Sequence, residues 1–112
     1  MRCTARAVST AAVAAALCGA ATLAAAQDAA ALRARSLVAT CAACHGTDGR
    51  AVPAAAVPGL SGMPAAYLVE QMKAFKSGAR TGTVMPQLAK GYSDAQIEQL
   101  AESLAKAGAA KP

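Results

Sequence analysis

The sequence predicts an all-α protein with three main helices plus a short helical turn. Several segments place apolar side chains three and four residues apart, as one face of a helix requires. Gly and Pro fall where these segments begin or end, and alanine, the best helix former, supplies 34 of the 112 residues. This length leaves room for one small domain, which excludes multidomain enzymes.

Residues 1–26 have the composition of a secretory signal peptide. Two arginines form a basic start, an apolar run follows, and three alanines end at Ala26. A transmembrane anchor is the alternative, but the run is Ala-rich, barely reaches the ~20 residues that a span needs, and ends in small residues. We therefore expect cleavage near Ala26, export to the periplasm, and a mature domain of residues 27–112 with no stable membrane insertion.

The mature domain is only mildly basic, because the net charge of +5 falls to +3 when the two arginines of residues 1–26 leave. Its positive residues are scattered and have no aromatic residues between them, which argues against nucleic acid as a partner. A weakly acidic protein partner fits better. Four basic side chains either steer such a partner or form a solvated face: Lys73, Lys76, Arg80 and Lys90.

Large apolar side chains are scarce in the mature domain. From residue 27 onward there are 17 Leu, Ile, Val, Met and Phe residues and two Tyr. Domains near this size bury only about 60–65% of their unfolded surface and often need a disulfide, a metal or a cofactor. We therefore expect a bound group to complete the core.

Two of the four cysteines lie beyond residue 26, and the only histidine follows them in the segment Cys41-Ala42-Ala43-Cys44-His45. This CxxCH pattern is typical of c-type haem attachment. Cysteines three apart on one helical turn point the same way, toward two neighbouring vinyl groups of a porphyrin, so two thioether bonds can form. The histidine can then reach the iron as the proximal ligand.

Three other interpretations of this motif are weaker. A structural zinc site lacks further ligands, because no Cys or His follows His45. A thioredoxin-like CxxC needs a βαβ context, which this Ala-rich helical pattern does not provide. A simple disulfide between Cys41 and Cys44 leaves His45 without a role. The sequence therefore predicts one covalent haem c, held through two thioethers.

The first predicted helix delivers the CxxCH motif at its end. Residues 29–43 contain neither Gly nor Pro and carry Leu37 and Val38 among helix-forming residues, with Asp28 as a candidate N-cap. Beyond it, residues 46–63 contain several Gly and two Pro without periodicity, which predicts a loop rather than a strand.

A second helix is predicted over about 64–77. Its proline suits the first helical position, and Leu68, Met72 and Phe75 then follow at helical spacing. Gly78 ends the apolar stripe and suits a C-terminal cap.

A short helical turn is predicted over residues 87–90, with Gly91 at its end. The last helix is predicted over about 94–107, because Ser93 and Gln96 have the spacing of a capping box ahead of an apolar stripe. These two elements complete the predicted helices.

The sixth position of the haem iron has several candidates: a methionine, a lysine or no ligand. Met72 lies on an apolar stripe, where core packing explains it, and Met63 is a weaker alternative close to the haem loop. Met85 lies forty residues past His45 in a segment expected to be non-helical, and Pro86 favours an extended conformation there. We predict Met85 as the ligand, with a buried gap-filling residue as the alternative. A thioether opposite His raises the reduction potential and favours electron transfer over oxygen chemistry.

The residues CAACHG, VPGLSG and TVMPQLAKGYS, with the closing helix, resemble the class I cytochromes c of bacteria. The resemblance implies a small all-α fold around one covalent haem. It implies attachment at Cys41 and Cys44 and axial ligation by His45 and Met85. It also matches Pro58 to a loop proline whose carbonyl accepts a hydrogen bond from the ligand histidine, which fixes the imidazole tautomer.

The segment FKSGARTGTVMPQLAKGYSDAQIEQLA is similar to the haem subunit of flavocytochrome c sulfide dehydrogenase. Two functions follow: a periplasmic one-electron carrier that is not itself an enzyme, or the haem subunit of a flavin-dependent sulfide dehydrogenase that takes electrons from a flavoprotein subunit. A third class, a haem enzyme or gas sensor with an open sixth site, needs polar distal groups. The sequence offers no second His for that role.

Overall fold

The structure is a computed structural model that describes residues 25–109. Most of the predicted signal peptide and the end of the C-terminal tail lie outside these residues. The chain divides into two compact units between Arg33 and Ala34. In the first unit, residues 25–33 are helical and exposed.

The second unit contains the helices that carry the predicted site. Helix α1 covers 25–39, so its last residues belong to this unit. The elements that follow are α2 (Ala42–His45), a 3-10 turn (Thr47–Gly49), α3 (Ala65–Ser77), α4 (Met85–Lys90) and α5 (Asp94–Ala107). No strand occurs in residues 25–109, as predicted, and no helix in that range is both long and apolar enough to cross a membrane.

The predicted first helix, 29–43, is interrupted in the structure. Helix α1 ends at residue 39, and the backbone N–H groups of Thr40 and Cys41 bond to carbonyls only three residues back, at 3.2 and 3.0 Å. The hydroxyl of Thr40 donates to the Leu37 carbonyl at 2.7 Å and so competes with the helical pattern. The candidate cap Asp28 lies within the helix, which is already formed at residue 25.

Helices α3 and α5 lie where they are predicted. Helix α3 begins after Pro64, which is its N-cap rather than its first residue, and ends at Gly78 in a left-handed conformation. Helix α5 begins with the predicted capping box: the Gln96 N–H donates to the Ser93 hydroxyl at 3.2 Å, and the Ser93 N–H donates to the Gln96 side chain at 2.8 Å.

The short turn predicted over 87–90 is a longer helix that begins at Met85. The prediction that Met85 lies in a non-helical segment is therefore wrong. Pro86 lies within the first turn of α4, where its missing N–H leaves no hydrogen bond unmade. Gly91 ends the helix as predicted, and its N–H bonds to the Leu88 carbonyl at 3.0 Å.

The core of the second unit lies where the last residues of α1 meet α3 and α5. The side chains of its five members are at most 6% exposed. They are Val38, Leu68, Leu100, Ala101 and Leu104. The small side chain of Ala101 lets neighbouring helices approach, and half-buried residues from the loop and the helices pack around this cluster.

The loop between α2 and α3 is tied to the end of α5 by polar contacts. The Gly62 N–H bonds to the Leu104 carbonyl at 2.9 Å, and the Arg50 guanidinium donates to the Ala107 carbonyl at 2.7 Å. These carbonyls belong to the last turn of α5, where no intrahelical N–H reaches them. The loop therefore caps this helix while the helix holds the loop in place.

The α3–α5 pair is held by charged side chains at one end. Lys76 donates to the Tyr92 carbonyl and to the Asp94 carboxylate, both at 2.8 Å. Lys73 lies 3.6 Å from Glu98 and 4.0 Å from Asp94. These pairs are largely exposed, so each contributes little to stability. The pairing also neutralises two of the four basic residues considered for partner steering.

Gly108 should be required for steric reasons alone. Its φ is −69°, which any residue adopts, but a Cβ there would lie 2.2 Å from the Gly62 Cα and 2.6 Å from the Gly62 nitrogen. We expect Gly108→Ala to lower the free energy of unfolding by about 2–3 kcal/mol in denaturant titrations. Gly78→Ala is the control, because Gly78 has φ 84° and no neighbour within 4 Å. Strain alone costs about 1 kcal/mol there, so equal losses for both variants would contradict the steric explanation.

Asp94 should make the fold sensitive to acid. The hydrogen bond and positive charge of Lys76, with a contribution from Lys73, hold the pKa of Asp94 below the ordinary 3.8. The stabilisation is present above the unfolded-state pKa and is lost as the pH falls through the folded-state pKa. We expect Asp94→Asn to be less stable than the original chain to urea at neutral pH, and the difference to shrink as the pH falls below 3.8 toward the lowered folded-state pKa of Asp94.

The matched control for Asp94 is Glu102→Gln, which breaks an exposed pair with Lys106 inside α5, 3.6 Å long. We expect this variant to change stability less at neutral pH, because both side chains are mostly exposed. A stability difference between Asp94→Asn and the original chain that is the same at neutral pH and below pH 3.8 would contradict the role given to the Asp94 charge.

Candidate functional site

The CxxCH motif occupies one helical turn although α1 ends before it. Cys41 is the N-cap of α2 with helical backbone angles, and its carbonyl accepts from the N–H groups of Cys44 and His45 at 3.3 and 3.0 Å. The Cys41 side chain is half-buried against the core, whereas Cys44 is exposed. Both thiols are free.

The His45 side chain is buried, with 8% exposure, and its orientation is fixed by one hydrogen bond. Its Nδ1 lies 2.7 Å from the Pro58 carbonyl oxygen. A carbonyl can only accept, so Nδ1 carries the proton and donates, and Nε2 keeps its lone pair. Within residues 25–109, Nε2 makes no hydrogen bond. The imidazole is therefore in the tautomer that binds a metal through Nε2.

The backbone that follows His45 brings Pro58 back to it. Gly46 has φ 83° and ψ 161°, and a Cβ at this position would lie 2.0 Å from the Arg50 carbonyl oxygen. Only glycine fits this turn without a shift of the backbone. The Gly49 carbonyl then accepts from Leu60 N–H at 2.7 Å and from Ser61 N–H at 3.0 Å, which fixes the chain directly after Pro58.

Met85 is half-buried and lies on the inward face of α4. Ala89, one turn later on the same face, is fully buried, whereas Val84 and Leu88 on the neighbouring face are 55% and 48% exposed. Unlike Pro58, Met85 makes no hydrogen bond to His45 in the described residues.

The two other methionines considered as iron ligands have different surroundings. Met63 packs against the buried core cluster. Met72 is half-buried on α3, one turn after Leu68, but is not among the residues packed on that cluster. Core packing, which the sequence suggests for Met72, is therefore observed for Met63 instead.

The donor set fits a covalent haem. One turn of chain presents two free thiols three residues apart, and the next residue presents a buried imidazole with an available Nε2. Among residues 25–109, no group of three or more His, Cys, Asp and Glu side chains lies close enough to hold a metal ion. Cys41 and Cys44 are thus placed for thioether bonds and His45 for iron.

Residues 31–107 match the family described as cytochrome c. The chain belongs to this family. Membership confirms the predicted class I cytochrome c fold and a covalently bound haem c, and it gives residues 31–107 the electron-transfer role of a cytochrome c domain.

Several cytochromes are similar to this family member. It is 46% identical over 68 residues to the thiosulfate dehydrogenase electron acceptor of Thiomonas intermedia (strain K12). The aligned segment covers 61% of this chain and 31% of that protein. It is 40% identical over 70 residues to the cytochrome subunit of sulfide dehydrogenase of Chlorobaculum tepidum, 62% of each chain. It is 42% identical over 67 residues to cytochrome c-554(548) of Halomonas halodenitrificans, 57% of this chain and 80% of that one.

The match to the first two of these relatives is partial. This cytochrome spans about a third of the thiosulfate dehydrogenase electron acceptor and less than two thirds of the sulfide dehydrogenase subunit.

Sequence reasoning missed two residues beside the attachment site. The hydroxyl groups of Thr40 and Tyr92 lie 2.6 Å apart, although the residues are 52 positions apart in the chain. The only local signal was a Thr immediately before the first Cys of the motif, and nothing near Tyr92 indicated its partner.

Proposed function

We propose that this cytochrome is a periplasmic one-electron carrier with a single haem c bound to Cys41 and Cys44, and with His45 and Met85 as the axial ligands. The buried His45 imidazole, bonded through Nδ1 to the Pro58 carbonyl, is the observation that carries the proposal. The proposal includes removal of residues 1–26 during export, which rests on their composition.

Each residue of the site has a separate task in this proposal. When bound, haem supplies the Fe(III)/Fe(II) couple through which one electron is gained and lost. The two cysteines fix the ring to the turn after α1. The Pro58 carbonyl holds the His45 imidazole in one tautomer and one orientation, with Nε2 available as a ligand atom. No proton needs to move and no substrate pocket is needed for electron transfer.

Met85 is the best-supported sixth ligand among the three methionines of the described residues. Met63 packs against the core, and Met72 is half-buried in the middle of α3, where no loop lets its backbone adjust toward a ligand. Met85 begins a short helix after a segment rich in Gly and Thr, and its side chain is on the shielded face of that helix. A thioether at the sixth position raises the reduction potential and excludes oxygen and other small ligands.

The ligand assignment predicts a specific spectral loss in one variant. The haem-loaded protein should show a c-type reduced spectrum and, when oxidised, the weak far-red band of Met-to-Fe(III) ligation. We expect Met85→Leu to abolish this band and to lower the reduction potential, because leucine matches methionine in size but has no sulfur. Absorption spectra and redox titration measure both changes.

Met63→Leu and Met72→Leu are the matched controls for Met85→Leu, and we expect both to keep the far-red band. Loss of the band in either control, with the band intact in Met85→Leu, would contradict the assignment. Binding of carbon monoxide to the reduced original protein at neutral pH, without denaturant, would favour the haem-enzyme or gas-sensor class instead. A protein without covalent haem would overturn the proposal as a whole.

A second candidate function is the haem subunit of a flavin-dependent sulfide dehydrogenase, receiving electrons from a flavoprotein subunit. Similarity to the cytochrome subunit of sulfide dehydrogenase favours it. Similarity to a thiosulfate dehydrogenase electron acceptor favours a free acceptor that serves an enzyme of sulfur oxidation. Both candidates share electron acceptance from a dehydrogenase of reduced sulfur compounds, and they differ in whether the partner stays bound.

Purification of the tagged cytochrome from its native host separates the two candidates. As a free carrier, it should elute from gel filtration as a small haem protein without flavin absorbance. Stoichiometric co-elution of a flavoprotein that is reduced by sulfide would instead support the subunit function. The control is the same purification with a tagged, unrelated periplasmic protein, which should not retain the flavoprotein.

A further inference from the structure

One hydrogen bond connects the haem-attachment turn to the end of α4. The Thr40 hydroxyl proton is used in the 2.7 Å bond to the Leu37 carbonyl. The Tyr92 hydroxyl therefore donates in the 2.6 Å bond between the two side chains, and Thr40 Oγ1 accepts. Thr40 directly precedes Cys41, and its Oγ1 lies 3.8 Å from the Cys41 sulfur.

Tyr92 is held firmly at its other end. Its N–H bonds to the Ala89 carbonyl in the last turn of α4 at 3.3 Å, and its carbonyl accepts from Lys76 at 2.8 Å. Its half-buried ring packs against the core cluster, as does Cys41. Because backbone, ring and hydroxyl are all fixed, a displacement of Tyr92 moves the end of α4 with it.

We propose that Tyr92 is a positioning residue that holds Met85 at the distance from Cys41 needed to ligate the iron. Helix α4 has only six residues, so Met85 and the Tyr92 end of the helix are separated by about 9 Å of rigid backbone. The bond to Thr40 therefore sets where α4 lies relative to the turn that carries the attached ring. This inference rests on the proposed axial ligation by Met85.

The test is a titration of the oxidised, haem-loaded protein with imidazole, which displaces the methionine. Loss of the far-red Met-to-Fe(III) band at fixed pH measures the apparent Kd for imidazole. Imidazole competes with Met85, so a looser Met85 gives a lower apparent Kd for imidazole. We expect Tyr92→Phe to lower this Kd about fivefold, the effect of losing one net hydrogen bond. The phenyl ring keeps the core packing, so the variant is expected to fold.

Four further variants define the outcome. Thr40→Val should lower the Kd as Tyr92→Phe does, and Thr40→Ser, which keeps the hydroxyl, should restore it. The double variant Tyr92→Phe/Thr40→Val should have the same imidazole Kd as either single variant, because the two substitutions remove the same contact. Tyr67→Phe is the control, since Tyr67 is 45% exposed on α3, and its Kd should equal that of the original protein.

Two results would overturn the inference while leaving the function intact: an unchanged imidazole Kd in Tyr92→Phe, or effects of Tyr92→Phe and Thr40→Val that add. A role of Tyr92 in stability alone would lower the denaturation midpoint without moving the Kd, and this result also counts against the inference. Absence of covalent haem or of the far-red band in the original protein would instead overturn the proposed function.

Discussion

The carbonyl oxygen of Gly49 accepts hydrogen bonds from two successive N–H groups, those of Leu60 and Ser61, and the position of the whole loop depends on it. The loop contains no regular structure beyond one 3-10 turn and contributes few large side chains to the core. Backbone hydrogen bonds must therefore offset much of the entropy of ordering it. Since Pro58 lies two residues before Leu60, the same contact presents its carbonyl to His45.

The helices that the sequence predicted correctly are those whose ends are marked by local chemistry. The capping box of Ser93 and Gln96 and the left-handed Gly78 need no tertiary partner to act. The predicted end of the first helix was wrong because α1 stops where the Thr40 side chain bonds to the backbone. This bond competes with the helical hydrogen bonds that the surrounding residues favour. The predicted start of α4 was wrong because a proline is tolerated in the first turn of a helix, so Pro86 does not force Met85 into an extended conformation.

The candidate site also combines local features that the sequence predicts with long-range contacts that it does not. The CxxCH motif can be recognised in the sequence because attachment and proximal ligation need only five consecutive residues. The Pro58 contact with His45 is 13 residues away and was expected only through the resemblance to cytochromes c. The Thr40–Tyr92 contact spans 52 residues, and no pattern in either segment encodes it. Sequence reasoning thus found the residues that are proposed to meet the cofactor, and it missed the contact that joins the attachment turn to the end of α4.

The contacts between the loop and α5 have a consequence for folding kinetics. Most contacts of a helical protein are local, which favours fast folding. Here the contacts that hold the loop join Arg50 to Ala107 and Gly62 to Leu104. Before they can form, two segments separated by about half of the chain must come together by diffusion. The loop that carries Pro58, and with it the bond between Pro58 and His45, is therefore expected to order late in folding.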